Sequence, residues 1–322
     1  MIIKNKKYIF VLIIFCICSF GQVNAQGDGP RAFMLAPKGV AGINAKWMNL
    51  NQNFLPGSNI LVESANLDIN VFPVTLFYNF GIADHYAQAL FMFNPGKATG
   101  SITSNLNIPY DNQSVTGFSD GFLGLKFGLI GSPALDLLQF AKHKPDFSLM
   151  SYFKLWYSGS YDSSNALNLG SNRLTYEMGL PIVIPVFKSS KNPLWIEAYP
   201  FIQFYSTNTE PSFISRSEES YQKPLFGLET HYTYNLSDKF WTGIDLRYQY
   251  GGEVELDGVT QDNKINILGG GLSAGYQILP FLSISGSYGK ILTGDNNAKS
   301  DLIRLSLIFV YANTKNLNML NN

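Results

Sequence analysis

Residues 224–250 constrain the fold more than any other stretch, because they form two alternating runs joined by a tight polar turn. In the first run Phe226, Leu228, Thr230, Tyr232, Tyr234 and Leu236 share one face, with Gly227, Glu229, His231, Thr233 and Asn235 on the other. After Ser237-Asp238 the second run sets Phe240, Thr242, Ile244, Leu246, Tyr248 and Tyr250 against Trp241, Gly243, Asp245, Arg247 and Gln249. A period of two over this length is the signature of β-strands, whose successive side chains point to opposite sides. A turn centred on Asp238 places Glu229 opposite Arg247 and His231 opposite Asp245. Two architectures share such a hairpin. A soluble sandwich hides the apolar face inside, whereas a membrane barrel shows it to lipid and keeps the polar face in its lumen.

The first residues point to export. Lys4, Lys6 and Lys7 precede a 13-residue apolar run from Tyr8 to Phe20, broken only by Ser19, and Val23-Asn24-Ala25 offers small residues where a signal peptidase reads. A cleaved signal peptide over 1–25 is the expectation, since a helix that crosses a bilayer needs about 20 apolar residues. Cys16 and Cys18 both lie in that signal, so the exported chain holds no cysteine for disulfides, thiolate metal sites or nucleophiles. Without the signal lysines the balance is 20 basic against 23 acidic residues, which gives no reason to expect a nucleic-acid partner. Aromatic and charged residues each make up 14%, a balance that suits a surface meeting lipid and its interface.

From residue 39 onward the alternation recurs in twelve candidate strands, at about 39–50, 64–80, 86–93, 121–130, 147–157, 174–184, 194–205, the opening pair, 264–277, 281–292 and 301–311. The second changes its apolar phase at Phe72-Pro73, where a bulge is the cheapest account of a slip. Gly269-Gly270-Gly271 in the tenth marks an expected bend. The odd-numbered connections, among them 95–120, 158–173, 207–223 and 251–263, are long and polar. The even-numbered ones, at 81–85, 187–192, 237–238 and 279–280, are short. The exception is 131–144, where Leu135, Leu138 and Phe140 suggest a brief amphipathic helix. Sorting of this kind is what an antiparallel up-and-down transmembrane β-barrel with long outer loops and short periplasmic turns requires, and a Greek-key sandwich has no reason for it. The predicted organisation is a signal at 1–25, a periplasmic N-terminal segment at 26–38, an outer-membrane barrel at 39–311 and a periplasmic tail at 312–322.

The last strand ends on Phe309 and Tyr311, which resembles the terminal signal that hands outer-membrane barrels to their insertion machinery. Several short stretches extend the likeness. They are Asp28-Gly29-Pro30-Arg31-Ala32-Phe33 with Pro37 and Gly39, Gly131-Ser132-Pro133-Ala134-Leu135, Tyr161-Asp162 with Leu167 through Arg173, and Tyr250-Gly251-Gly252 with Asp257-Gly258-Val259. In this order the chain resembles a barrel family named after the meta-pathway of phenol degradation. The resemblance implies an outer-membrane protein that passes hydrophobic or aromatic small molecules, and it brings no catalytic residues.

The lumen-facing phase carries charges, Lys126, Lys154, Glu177, Glu197, Glu229, Asp245, Arg247 and Arg304, together with His231. It also carries aromatics, Tyr152, Trp156, Trp195, Tyr199 and Phe201. Cross-strand charge pairs inside a barrel satisfy groups that would otherwise be stranded, with selectivity as the alternative role. The aromatics either line a path on which flat solutes stack or fill a narrow barrel. The segment 167–173 is less polar than its neighbours and is expected to fold inward. Glu253, Glu255, Asp257 and Asp262 cluster without calcium-loop spacing, so no metal or other cofactor is expected. The three histidines, His85, His143 and His231, have no serine nucleophile placed beside them, which argues against an enzyme. Two functions stay open: a channel or transporter for small hydrophobic or aromatic compounds, and a structural or adhesive barrel working through its loops.

Overall fold

The computed structural model describes residues 27–57, 59–103, 108–186 and 193–312. The expected signal peptide, the turn at 187–192 and the tail from 313 lie outside the described residues. The wall begins with β1 (Val40–Gln52), then β2 (Asn66–Val71) and β3 (Val74–Ile82), β4 (His85–Thr103), β5 (Pro109–Ile130) and β6 (Ser148–Tyr157). It continues through β7 (Thr175–Gly179), β8 (Ile182–Pro185) and β9 (Leu194–Tyr205). Past a short outer β10 (Ser220–Gln222) come β11 (Leu225–Asn235) and β12 (Phe240–Gly251). Two more short strands, β13 (Val254–Leu256) and β14 (Val259–Thr260), precede β15 (Ile265–Leu279), β16 (Leu282–Gly294) and β17 (Ser300–Ala312). Each wall strand pairs antiparallel with its neighbours, and β17 returns to β1 with Ser300 opposite Gln52 and Ala312 opposite Val40. β10, β13 and β14 form a separate small sheet in the outer loops.

Two of the twelve wall strands are interrupted at a proline and remain continuous in register. β2 pairs Met48 with Val71 and β3 pairs Ala45 with Val74, so three residues pass on each side and nothing is inserted. β6 likewise pairs Tyr152 with Gly179 and Ser148 with Val183 across Pro181. The bulge expected at Phe72-Pro73 is therefore absent. Proline's missing N–H interrupts the ladder locally without shifting it. The apolar phase changes there for another reason. Leu67, Ile69 and Val71 point inward and are buried, whereas Leu76 and Tyr78, on the opposite phase, are exposed. The inward phase itself runs on unbroken through Thr75 and Asn79, which are polar and buried.

A second difference has the same root. The 95–120 stretch, expected as a loop, continues β4 and β5 as a long hairpin in which Gly96 faces Gly117 and Ala98 faces Val115. Its inward residues Ala98, Ile102 and Val115 pack with Leu50, Leu67, Ile69, Val71 and Leu302 in one apolar cluster. Its outward residues Lys97, Ser114 and Thr116 are exposed. The wall thus rises beyond the lipid-facing band, and beyond it the apolar side faces in. Within the band, Ile43, Leu125, Phe153, Met178, Leu228, Ile244, Ile284 and Leu305 are exposed on the outside, as a lipid-facing surface demands.

At the opposite end the connections are short, apart from 131–147. β11 and β12 are joined at 236–239, and their register sets Glu229 opposite Arg247 and His231 opposite Asp245, as the turn at Asp238 predicts. The brief helix is present as α1 (Leu137–Lys142), started by a capping box in which Asp136 accepts from the Gln139 backbone while the Gln139 side chain accepts from that of Asp136. The glycine run of β15 meets a register shift against β16 between Leu268 and Gly269, a local irregularity where a bend is expected.

Candidate functional site

The lumen is occupied by the chain's own N-terminal segment. Residues 26–38 are expected outside the barrel on its periplasmic side. The described part instead enters at that end, where the Gly39 N–H donates to Asn79, and runs inward among the side chains of distant strands. Phe33 is 1% exposed, with its ring 4.9 Å from that of Tyr199 and 6.4 Å from that of Tyr152. Glu197, fully buried on β9, accepts the Arg31 N–H at 2.6 Å and the Phe33 N–H at 3.1 Å. Lys126 donates to the Ala32 carbonyl at 2.7 Å. Asp28 reaches Lys154 at 2.7 Å, and the Gly27 carbonyl accepts from Arg304 at 3.1 Å. Arg31 bonds Asn235 and lies 4.6 Å above the Trp241 ring. An irregular segment inside a barrel needs its backbone groups satisfied, and Glu197, Lys126 and Arg304 supply those partners.

Around this plug the lumen side chains form two braced networks. Lys154 also binds Glu177 at 2.7 Å, and Glu177 accepts from Tyr199 and Gln203, both at 2.7 Å, and from Trp156 at 3.3 Å. His231 Nδ1 lies 2.6 Å from Asp245 and its Nε2 lies 3.6 Å from Glu229, which in turn binds Arg247. Buried charges are tolerable only when paired and hydrogen-bonded like this. Aromatics fit because the wall makes room. A Cβ on Gly227 would stand 2.1 Å from the Phe201 ring, and one on Gly275 would stand 2.4 Å from Trp241. Glycine on one strand shelters the ring on the next.

All fourteen lumen candidates face the interior. Lys126, Tyr152, Lys154, Glu177, Glu197, Tyr199, Phe201, Glu229, His231, Asp245 and Arg304 are buried there, and Trp156, Trp195 and Arg247 are half-buried. Those on the plug side of the lumen gather about Phe33, with Trp195 packed on the Phe33, Tyr152, Tyr199 and Phe201 cluster. Sequence reasoning missed the plug residues Asp28, Arg31 and Phe33, and Lys46, which donates to the Asp28 carbonyl at 3.3 Å. The Asp28–Phe33 stretch was visible only as a family-like opening.

Above the plug the outer connections also turn inward. The 167–173 segment does so as expected: Leu167 and Leu169 are buried in the apolar cluster of the raised wall. Asp120 anchors it, accepting from the Gly159 N–H at 2.9 Å, the Ser171 N–H at 3.0 Å and the Ser171 hydroxyl at 2.5 Å. Three cavities then follow one another along the axis. The outermost, about 710 Å³, lies among the loops between Leu55, Ile102, Tyr161, Arg173, Ile214 and Val254. Leu55 and Pro56 separate it from a second, about 200 Å³, bordered by Asp28, Lys154, Glu177, Phe201, Glu229 and Arg247. The plug separates that one from a third, about 200 Å³, at the short-turn end, bordered by Arg31, Lys46, Trp241 and Arg304. Burial depresses the basicity of Arg173 in the outermost cavity, opposed by the nearby Tyr205, Asp120 and Tyr161.

The loop acids are spent locally. Glu253 and Glu255 pair with Lys223 at 2.7 and 3.0 Å, and Asp257 accepts the Glu218 and Glu219 N–H groups. Among the described residues no group of three or more His, Cys, Asp or Glu side chains is placed to hold a metal ion. His231 sits between two carboxylates, and His85 packs on Phe127 with ring centres 5.5 Å apart.

Residues 64–307 match the family described as Putative MetA-pathway of phenol degradation. Among solved structures, the fold is similar to that of an outer membrane channel from Pseudomonas putida F1, with a TM-score of 0.69 and 17% identity over 88% of this chain and 99% of that one. Weaker likenesses include the transport unit of the autotransporter AIDA-I from Escherichia coli, with a TM-score of 0.45 and 12% identity over 88% and 95%. The beta domain of the Bordetella autotransporter Brka gives 0.46 and 10% over 85% and 100%. A comparison with curated protein sequences finds no match.

Proposed function

This chain belongs to the family described as Putative MetA-pathway of phenol degradation, and from that membership we propose that it is an outer-membrane channel or transporter for small hydrophobic or aromatic compounds. The observation that carries the reading is the row of three cavities, in which an outer chamber of mixed apolar and polar lining leads to a charged and aromatic lumen occupied by residues 27–33. An apolar solute gains by leaving water for the outer chamber, where Leu55, Ile102, Ile214 and Val254 line the wall. Deeper in, Trp156 and Phe201 offer faces on which a flat ring can stack weakly enough to be released. The plug keeps ions from following.

The test is reconstitution of the chain from Gln26 into planar bilayers and into liposomes, with toluene as the solute. The expected result is near-silence to ions with toluene uptake, and steady ion conductance once residues 27–33 are deleted. Steady conductance from the intact chain would overturn the plugged-lumen reading. Silence without uptake would favour a barrel that works through its loops.

A further inference from the structure

Arg173 is a buried cation with no carboxylate in direct contact. It is 5% exposed, and among the described residues no carboxylate lies within ion-pair distance of it. Its polar contacts are long ones to neutral groups, Nη1 to Gln222 at 3.4 Å and Nη2 to Ser220 at 3.5 Å, while Nε has no partner. A guanidinium carries five N–H donors, so most of this one's capacity is unused. The nearby Asp120 carboxylate is committed to Gly159 and Ser171 and borders the next cavity. Leaving a buried charge unpaired is costly, and a site that does so is incomplete without an anion.

The same residue borders the outer cavity of about 710 Å³, a size at which small-molecule sites occur. Leu55, Ile60, Ile102, Ala166, Ile214 and Val254 surround it with apolar surface. The acids that also border this cavity, Glu63 and Asp262, are exposed to water, which screens their repulsion. A chamber with apolar side chains on its wall and one buried guanidinium fork among neutral polar groups matches a ligand with an apolar body and a planar anionic end, because a carboxylate accepts two parallel bonds from a guanidinium. At the far end of the lumen Lys46 and Arg304 border the third cavity, and their polar contacts are to carbonyl and hydroxyl oxygens rather than carboxylates.

We propose that the outer cavity is a binding site for a small hydrophobic monocarboxylate, an aromatic acid in the first instance, with its carboxylate on Arg173 and its ring among Leu55, Ile102, Ile214 and Val254. The proposal narrows the solute class of the channel reading and rests on it for its biological purpose, although binding is measured without transport. The experiment is calorimetric titration of the purified full-length barrel in detergent with benzoate and with its neutral counterpart benzamide. Benzoate is expected to bind one equivalent roughly 10- to 100-fold tighter than benzamide, the span of a hydrogen bond to a charged group. Arg173→Gln should bring benzoate down to the benzamide level and leave benzamide unmoved, while Arg173→Lys should restore part of the preference.

Equal binding of the two compounds by the unsubstituted protein would overturn the proposal, and so would unchanged benzoate binding in Arg173→Gln. The comparison of the two compounds on the unsubstituted protein needs no variant to fold. Liposome uptake separates the two readings. Toluene uptake with no benzoate preference leaves the channel standing and removes the carboxylate site. Benzoate binding by a barrel that takes up neither compound keeps the site and removes the transport reading.

Discussion

The lower and upper halves of the same wall follow opposite rules. In the lower half β1 and β17 show Ile43, Leu305 and Leu307 to the outside and turn Lys46, Arg304 and Ser306 inward. In the upper half the same strands turn Leu50 and Leu302 inward, and β2 shows Asn66 and Asp68 to the outside. No residue is inserted in β2–β3 between the two regimes, so the backbone keeps its alternation while the side chains exchange character. The difference teaches that alternation reports only the two sides of a strand. Which side is apolar is set by the medium, lipid below and water above. A sequence reader who assumes one medium throughout meets an apparent slip where the surroundings change.

The comparison can be broken from the inside first. Lys154→Met strands Glu177 and Asp28 in the lower lumen and should cost about 3–5 kcal/mol, read as a fall in the urea midpoint for release from lipid vesicles. An unmoved midpoint would mean that charge does not brace the lower half. In the upper half the equivalent wound is apolar. Leu67→Ala should cost about 2–5 kcal/mol in the same assay, because Leu67 is fully buried in the inward cluster. The outside offers the sharpest contrast. Ile244→Arg, into lipid, should cost about 2–4 kcal/mol, whereas Ser114→Arg, on the water-facing side of the raised wall, should stay within about 0.5 kcal/mol. Equal penalties at those two positions would erase the boundary between the halves.

The strands that touch lipid were legible in the sequence because both of their faces are marked, apolar outside and polar inside. The β11–β12 hairpin shows this down to its Glu229–Arg247 and His231–Asp245 pairs. The raised β4–β5 hairpin was not legible. Asn112, Gln113, Ser114 and Thr116 read as loop, since a strand wet on one side and sparsely apolar on the other has the composition of a connection. The lumen candidates could be found because period two assigns them a side. The plug could not, since residues 27–33 have no period, and Glu197, Lys126 and Lys154 lie on strands far away in sequence. The lack of a carboxylate in contact with Arg173 was equally hidden, because a missing partner leaves no trace in a string of residues.

The plug is joined to β1 by only the few residues from 34 to 39, and this makes it a tethered competitor. Held on so short a leash, a displaced segment faces its own site at an effective concentration on the order of millimolar. Under the proposed function, a solute taking the Phe33 niche between Tyr152 and Tyr199 would have to compete with that standing concentration. On the proposed channel reading residues 34–39 would set a threshold, and lengthening them should lower the solute concentration at which uptake into liposomes begins.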